Sequence, residues 1–318
     1  MNNKIVRMAM FHGHIYRTSI FVCILLLLLS CESSIEQVVP NNDSFSSAGI
    51  SKIKIENYIN RLFIDIIGRG PTDLEKIDEV EKLNEADLSR EARLDLINRL
   101  MTDETPSENE GSYLEAYYNN LYLLAKIRCL DGTSDNEIFD LKVNDLLIQA
   151  EQDSISENWE GYFKTLNQIR RFEWMFESPK RLISGELKYH EIYAFVIDND
   201  FYDELNMNSF NFINASFDEL LFRFPSEQEY ARAFEMVEFG MLNTIFGEQG
   251  NSKEDYIRIL VNSTAMKEGM IRWAYQVFLQ REGSPGEVAT LLETYKIDED
   301  INHVIAQILV TDEYANFF

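Results

Sequence analysis

Apolar residues recur along most of the chain at the three- and four-residue steps that place them on one face of an α-helix. Three series show this spacing most clearly: Ile55, Ile59, Leu62, Phe63, Ile66 and Ile67; Tyr113, Leu114, Tyr117, Tyr118 and Leu121; and Val288, Leu291, Leu292 and Tyr295. The sequence has no convincing strand-like alternation, and only six prolines interrupt it. The pattern therefore predicts an all-α protein, built as a bundle or array of helices.

The first 30 residues follow a different pattern. Residues 1–18 contain three basic side chains and no acidic one, and residues 20–29 form an unbroken apolar run. This run is too short to cross a bilayer, which requires roughly 20 residues. A basic start, a short apolar stretch and a small residue at the cut are typical of a secretory signal peptide. We therefore expect residues 1–30 to be removed.

The end of this segment, Leu28-Leu29-Ser30-Cys31, resembles the lipoprotein box of bacterial secreted proteins. The resemblance implies that Cys31 becomes the lipidated N-terminus of a bacterial lipoprotein. Glu32, in place of an aspartate, favours the outer membrane, and neither face of that membrane is excluded. The alternative is a signal anchor with an incidental cysteine.

The chain from Cys31 onward divides into three parts. Residues 31–50 are rich in Ser, Asn, Pro and Val without periodicity, which predicts a flexible tether. Helical patterns follow in an N-terminal domain, residues 51–205, and in a C-terminal tandem helical repeat domain, residues 206–318. Cys129 is the only cysteine left for the folded part, so the sequence predicts no internal disulfide.

Three segments repeat one motif: an aromatic residue, an apolar pair, an arginine, a proline or glycine, a threonine or serine, and a glutamate three residues after that. The three copies are Phe63, Ile66-Ile67, Arg69, Pro71, Thr72 and Glu75; Phe217, Leu220-Leu221, Arg223, Pro225, Ser226 and Glu229; and Tyr275, Phe278-Leu279, Arg281, Gly283, Ser284 and Glu287. Each copy closes on an apolar helix with a polar end, at residues 100–104, 260–263 and 309–313. We interpret the motif as a helix, an arginine turn and a second helix.

The Thr/Ser and Glu positions have the spacing of a capping box at the start of the second helix. Loss of such a cap typically costs ~1 kcal/mol, so we assign these residues a structural role. The arginine can bond the last carbonyls of the preceding helix or pair with a carboxylate of the opposite helix. Binding of a ligand by Arg69, Arg223 and Arg281 is the alternative.

The first copy, residues 61–72 with Glu75, resembles an uncharacterised helical domain of planctomycete-type secreted proteins. The last copy, residues 275–314, is similar to another uncharacterised extracellular bacterial helical module. The resemblances imply a helical fold and an envelope or extracellular setting, and no established activity. The haem attachment sequence of the cytochrome modules that accompany the first family is absent from this chain.

The net charge limits the partners. The chain carries −25, and removal of residues 1–30, with three basic and no acidic side chains, makes it −28. An acidic surface repels phosphate backbones and anionic headgroups. We therefore expect no nucleic-acid partner, and contact with the membrane through the N-terminal lipid only.

No familiar catalytic or metal-binding grouping stands out. The helix that begins at His190 has Ala194 where a zinc protease needs its second histidine. Two acidic runs, residues 198–204 and 298–300, offer oxygen ligands for calcium but lack the EF-hand glycine. We interpret them as solvated loops, with calcium binding as the alternative. The sequence thus points to no catalytic residue, no cofactor and no metal site.

Because every recurring residue has a folding role, the leading hypothesis is a non-enzymatic interaction or accessory subunit of an outer-membrane protein complex. Aromatic residues at helical spacing are mostly core, but Tyr117, Trp159 and Trp174 are candidates for exposed contacts, beside the three arginines. A glycan-binding surface lipoprotein is the alternative. An envelope hydrolase with a carboxylate pair is the third hypothesis.

Overall fold

The computed structural model describes residues 49–106 and 111–318. The first part of the chain forms α1 (Lys52–Ile67), α2 (Asp73–Glu85), α3 (Arg90–Thr102), α4 (Tyr113–Cys129), α5 (Asp135–Ile138), a π-helical turn (Phe139–Val143), α6 (Asn144–Ile155), α7 (Trp159–Phe176) and α8 (Ser178–Ile183). A 3₁₀ turn (Tyr189–Glu191) then leads into α9 (Ile192–Ile197), α10 (Asp200–Asn206), α11 (Ser209–Leu221) and α12 (Glu227–Phe239). The last part comprises β1 (Asn243–Ile245), β2 (Glu248–Gly250), α13 (Lys253–Asn262), α14 (Thr264–Leu279), α15 (Pro285–Asp298), α16 (Ile301–Leu309) and α17 (Asp312–Ala315). The predicted all-α fold is confirmed.

The three sequence copies correspond to three-helix units, which we call the first, second and third repeats: α1–α3, α11–α13 and α14–α16. In each repeat the arginine motif connects the first helix to the second. The second and third repeats are directly continuous, because Ser263 ends α13 and its side chain also accepts a hydrogen bond from Met266 N at the start of α14.

The helix boundaries follow from local chemistry. In α1, the Ser51 side chain accepts a hydrogen bond from the backbone N–H of Lys54, and the helix ends where Gly68 takes a left-handed conformation with φ of 76°. The buried face of α1 contains the apolar residues that the sequence pattern singles out, together with Tyr58. Burial of this stripe, rather than helix propensity alone, stabilises such a helix.

A short β-hairpin interrupts the second repeat and was not expected from the sequence. Strands β1 and β2 pair antiparallel, with Thr244 opposite Gln249. Phe246 and Gly247 form the two-residue turn, both with positive φ, as a hairpin turn of the mirror-image type requires. Strands of three residues are too short to produce an alternating pattern.

The first repeat packs against the end of the third repeat and against α17, which follows it: α3 contacts α16, and α1 contacts α17. Arg61 donates a hydrogen bond to the carbonyl oxygen of Tyr314 at 2.9 Å, and the Tyr314 hydroxyl donates to Asp65 at 2.8 Å. Arg93 pairs with Asp312 at 2.8 Å. The described residues form one compact unit. The division into an N-terminal domain, residues 51–205, and a C-terminal repeat domain, residues 206–318, stays a prediction.

Two further expectations concern the membrane. None of the helices in residues 49–106 and 111–318 combines the length and apolar character needed to cross a bilayer. The expected signal peptide, lipidated Cys31 and nearly all of the tether lie outside the described residues.

Candidate binding sites

The arginine motif forms a closed hydrogen-bonded unit in the first repeat. The guanidinium of Arg69 donates to both carboxylate oxygens of Glu75, at 2.9 and 2.8 Å. The same carboxylate accepts the backbone N–H of Thr72 at 2.6 Å, while the Thr72 hydroxyl accepts the backbone N–H of Glu75 at 3.3 Å. The capping glutamate of the following helix is therefore also the ionic partner of the arginine.

The other two repeats reproduce this arrangement. Arg223 donates to Glu229 at 2.9 and 2.6 Å. Arg281 donates to Glu287 at 3.0 and 2.7 Å. Capping boxes are present at Ser226 and Ser284 as well. We call the unit of arginine, cap and glutamate the arginine clamp.

The remaining positions of the motif support the clamp. The residue before each arginine, Gly68, Phe222 or Gln280, is left-handed and reverses the chain. The aromatic residue six positions before each arginine places its ring against the guanidinium, with 5.2 Å from Arg223 Cζ to the centroid of Phe217. The aromatic position of the motif and the residue before the arginine thus both act within the fold.

The clamp changes the acidity of its glutamates. Hydrogen bonds from the guanidinium, with those from the cap, hold the pKa of Glu229 and of Glu287 at about 2, against a usual 4.5. Burial acts to raise the pKa of Glu75, but hydrogen bonds from Arg69 and Tyr113 outweigh it and the pKa is again about 2. Arg281 also pairs with Glu313 at 2.6 Å. In each repeat the arginine is thus bound to the glutamate of the same motif. This arrangement gives no support to the alternative that the arginines bind a ligand.

The three candidate aromatic residues have different surroundings. Tyr117 is only 1% exposed, and its hydroxyl donates to the Asn302 side chain at 2.7 Å. It is therefore not a surface residue, because its side of α4 faces the core. Trp159 is 53% exposed and Trp174 is 42% exposed, both on α7.

The acidic run at residues 198–204 is neutralised by neighbours. Asp198 pairs with Arg171 at 2.7 Å, and Asp200 accepts a hydrogen bond from Gln168 at 2.7 Å. The other two acids of the run form ion pairs with lysines, Asp203 with Lys253 and Glu204 with Lys142. Among the described residues, no group of three or more histidine, cysteine or acidic side chains is arranged to hold a metal ion.

A groove of about 460 Å³ lies where α7, α9 and α13 meet. Trp174 and Phe195 form an aromatic pair in its wall, with ring centroids 5.8 Å apart. Arg171 bridges two carboxylates there, 2.7 Å from Asp198 and 3.0 Å from Glu254. We call this the α7–α13 groove.

A second feature is an exposed apolar strip on the second repeat, which we call the aromatic ridge. It consists of Phe210, Tyr230, Phe234 and Phe239, whose consecutive ring centroids lie 5.6–5.7 Å apart, followed by Met241 and Leu242. Phe239 is 64% exposed and Leu242 is 69% exposed.

Sequence reasoning missed most of the ridge. Tyr230 and Phe234 are four residues apart on α12, a spacing that is usually interpreted as core. The core face of α12 contains Ala233 and Met236, and Tyr230 and Phe234 pack against the core while remaining partly exposed. An apolar face wider than the buried part of the helix was the signal that could have revealed an additional contact surface.

Comparison with protein-family models, with curated proteins and with solved structures finds no match for this chain. The two family resemblances of the sequence therefore stay predictions, and the proposals below depend on the sequence features and the geometry already described.

Proposed function

We propose that this protein is a lipid-anchored, non-enzymatic interaction subunit of an outer-membrane protein complex, and that it binds its partner through the aromatic ridge. The observation that carries the proposal is the ridge itself. Contiguous exposed apolar surface rimmed by polar residues is characteristic of protein–protein contact sites. The partner that fits is an outer-membrane protein presenting a complementary apolar face.

The side chains beside the ridge support a protein partner. Glu238 accepts a hydrogen bond from Ser209 at 2.5 Å, and Glu235 accepts one from Asn243 at 2.9 Å. These carboxylates are held by neighbours within the fold, at the margin of the rings. An apolar centre with a polar margin is the usual composition of a protein interface.

The ring types also favour tight contact. Phenylalanine and tyrosine rings each remove a large apolar area from water when they are covered. Burial of one such side chain contributes ~1.5–3 kcal/mol. Coverage of Phe210, Phe239 and Leu242, together with the partly exposed rings between them, would supply a compact set of energetically dominant contacts.

The test is a tagged pull-down of the lipidated protein from mild-detergent membranes, with quantitative mass spectrometry. The variant combines Phe239→Asp with Leu242→Asp, which places two charges in the ridge. The matched control is Ile297→Asp, because Ile297 is an 86% exposed aliphatic residue on α15, away from the ridge.

We expect one outer-membrane protein to copurify stoichiometrically with the wild type and the control, and to be lost with the double variant. Recovery of the protein alone, or equal partner recovery with the double variant, would contradict the proposal. Circular dichroism melting of both variants establishes that the fold is retained.

A further inference from the structure

The α7–α13 groove has its own chemistry, distinct from that of the aromatic ridge. Its floor is apolar, with Leu187, Ile257 and Val261 buried beneath it. Its rim is polar and includes the exposed Asn167. Clefts with an apolar floor and a few converging polar groups are the usual form of small-ligand sites.

The groove is electrically balanced, although the protein as a whole is strongly acidic. It is lined by three arginines and three carboxylates: Arg170, Arg171, Arg258, Glu191, Asp198 and Glu254. Arg171 holds two of these carboxylates, and Arg258 pairs with Glu248 at 2.9 Å outside the groove lining. The lining has equal numbers of basic and acidic side chains and no large excess of either charge, which suits an uncharged ligand.

Trp174 provides a flat apolar surface at this polar site. Its neighbours along α7, Phe172 and Met175, are buried, so the helix turns Trp174 outward. Phe195 supports the indole from α9, and Arg181 lies 5.2 Å from the centroid of that Phe195 ring. A supported, 42% exposed indole beside hydrogen-bonding groups matches a ligand with one apolar face and polar edges.

We propose that the α7–α13 groove binds a neutral oligosaccharide. One sugar ring stacks on Trp174, and its hydroxyl groups hydrogen-bond to Asn167 and to the free lone pairs of Asp198 and Glu254. Sugar hydroxyls are both donors and acceptors, so they can satisfy carboxylate, amide and guanidinium groups that already neutralise one another. A purely apolar peptide would leave these polar groups buried without partners, at a cost of about 1–3 kcal/mol each in general.

The same geometry assigns the groove to binding rather than hydrolysis. A glycosidase needs one carboxyl group free to donate a proton and another free to attack or to activate water. Arg171 holds both Asp198 and Glu254 through hydrogen bonds, and the third carboxylate, Glu191, accepts the backbone N–H of Lys188 at 2.7 Å. Burial raises the pKa of Asp198, and Arg171 opposes that rise by favouring the ionised carboxylate.

The experiment is isothermal calorimetry on the full lipidated protein in a detergent without sugar headgroups. The probes are malto-, cello-, chito-, manno- and xylohexaose. The variants are Trp174→Ala and Trp174→Phe, and the matched control is Trp159→Ala, which removes the other exposed tryptophan of α7.

We expect at least one hexasaccharide to bind with one-to-one stoichiometry and without turnover. Trp174→Ala should weaken binding about tenfold or more through the lost ring contact. Trp174→Phe should retain most of the affinity, and Trp159→Ala should leave it within about twofold. Raising NaCl from about 0.05 to about 0.5 M should change the affinity little, because the ligand is uncharged.

No heat of binding for any of the five sugars up to about 10 mM would overturn the proposal. Equal affinity in Trp174→Ala would overturn it as well, and so would steep salt dependence or cleavage of the sugar. The ridge double variant should bind the sugar like the wild type. The failure of either proposal is therefore distinguishable from the failure of the other.

Discussion

The first and second repeats share the arginine clamp but differ in what lies beside them. The first repeat packs against α16 of the third repeat and, through Arg61 and Arg93, against the following helix α17. In the second repeat, α13 instead contacts α9, and it forms the α7–α13 groove together with α7 and α9. Helix α12 of the second repeat also exposes the aromatic ridge. The same arginine clamp therefore occurs in the first repeat, which is covered by other helices, and in the second repeat, which leaves an apolar surface exposed.

The connection between the second and third helices also separates the repeats. Residues 86–89 make this connection in the first repeat and residues 299–300 in the third. In the second repeat it comprises residues 240–252, including the β-hairpin, and it begins with Met241 and Leu242 of the ridge. The four rings of the ridge lie on α11 and α12, and the longer connection of the second repeat extends the ridge by Met241 and Leu242.

The largest expected effect comes from breaking the joint between the second and third repeats. A Cβ at Gly269 would lie 2.0 Å from the carbonyl oxygen of Leu220 and 3.1 Å from Leu221 Cα. Because these are backbone atoms of α11, Gly269→Val should lower the free energy of unfolding by about 3 kcal/mol or more. Urea denaturation measures the change. Gly286→Ala is the control, since its Cβ meets nothing within 4 Å, and equal destabilisation by both would refute the packing argument.

A smaller effect distinguishes two clamps. Arg281 pairs with both Glu287 and Glu313, whereas the carboxylate partner of Arg223 in the structure is Glu229. Arg281→Met should therefore cost about 1–2 kcal/mol of unfolding free energy. Arg223→Met should cost less than about 1 kcal/mol. Urea midpoints of the two variants decide this order, and a larger loss for Arg223→Met would be inconsistent with it.

The clamps also predict a pH dependence. The pKa of Glu229 and of Glu287 is about 2 in the folded protein, against 4.5 for an ordinary glutamate such as one in the unfolded chain. The stability they provide is therefore present above pH 4.5 and is lost as the pH falls toward 2. Urea midpoints at neutral and acidic pH should show this decline. In Arg281→Met the decline should be shallower, and an unchanged slope would contradict the assignment.

The smallest expected effect concerns one cap. The Ser284 hydroxyl accepts the backbone N–H of Glu287 at 3.3 Å. Ser284→Ala should lower stability by about 1 kcal/mol, measured as a lower melting temperature, and should leave partner recovery unchanged. Thr290→Ala is a matched control, because the Thr290 hydroxyl only donates to a carbonyl within the same helix. Loss of the partner at unchanged melting temperature would show that Ser284 acts in binding.

Local features could be predicted from the sequence because their causes lie within a few residues. Helical periodicity gave the all-α fold, and the Ser/Thr-x-x-Glu spacing is itself the geometry of the cap at Ser284. The sequence left the partner of Arg281 open between helix carbonyls and a carboxylate of the opposite helix. Its contact with Glu287, six residues later, depends on the left-handed conformation of Gln280, which turns the chain. Glutamine has no marked preference for that conformation, so its identity does not indicate the turn.

Surface features could not be predicted, because they depend on distant contacts. Arg171 and Glu254 are 83 residues apart, so the groove exists only when α7 meets α13. Tyr117 was a candidate for the surface, but it is buried and its hydroxyl donates to Asn302, 185 residues away in the sequence. Phe239 carried no distinguishing mark, since one apolar residue at a helix end can face either the core or solvent.

Photocrosslinking from the ridge tests the central claim most directly. A photoreactive phenylalanine analogue replaces Phe239 in the lipidated protein in intact membranes, and a second sample carries it in place of Ile297. The proposed function predicts a single dominant adduct with one outer-membrane protein from position 239 and none from position 297. Equal adducts from the two positions, or none from position 239, would contradict the claim that the second repeat binds a partner through its aromatic ridge.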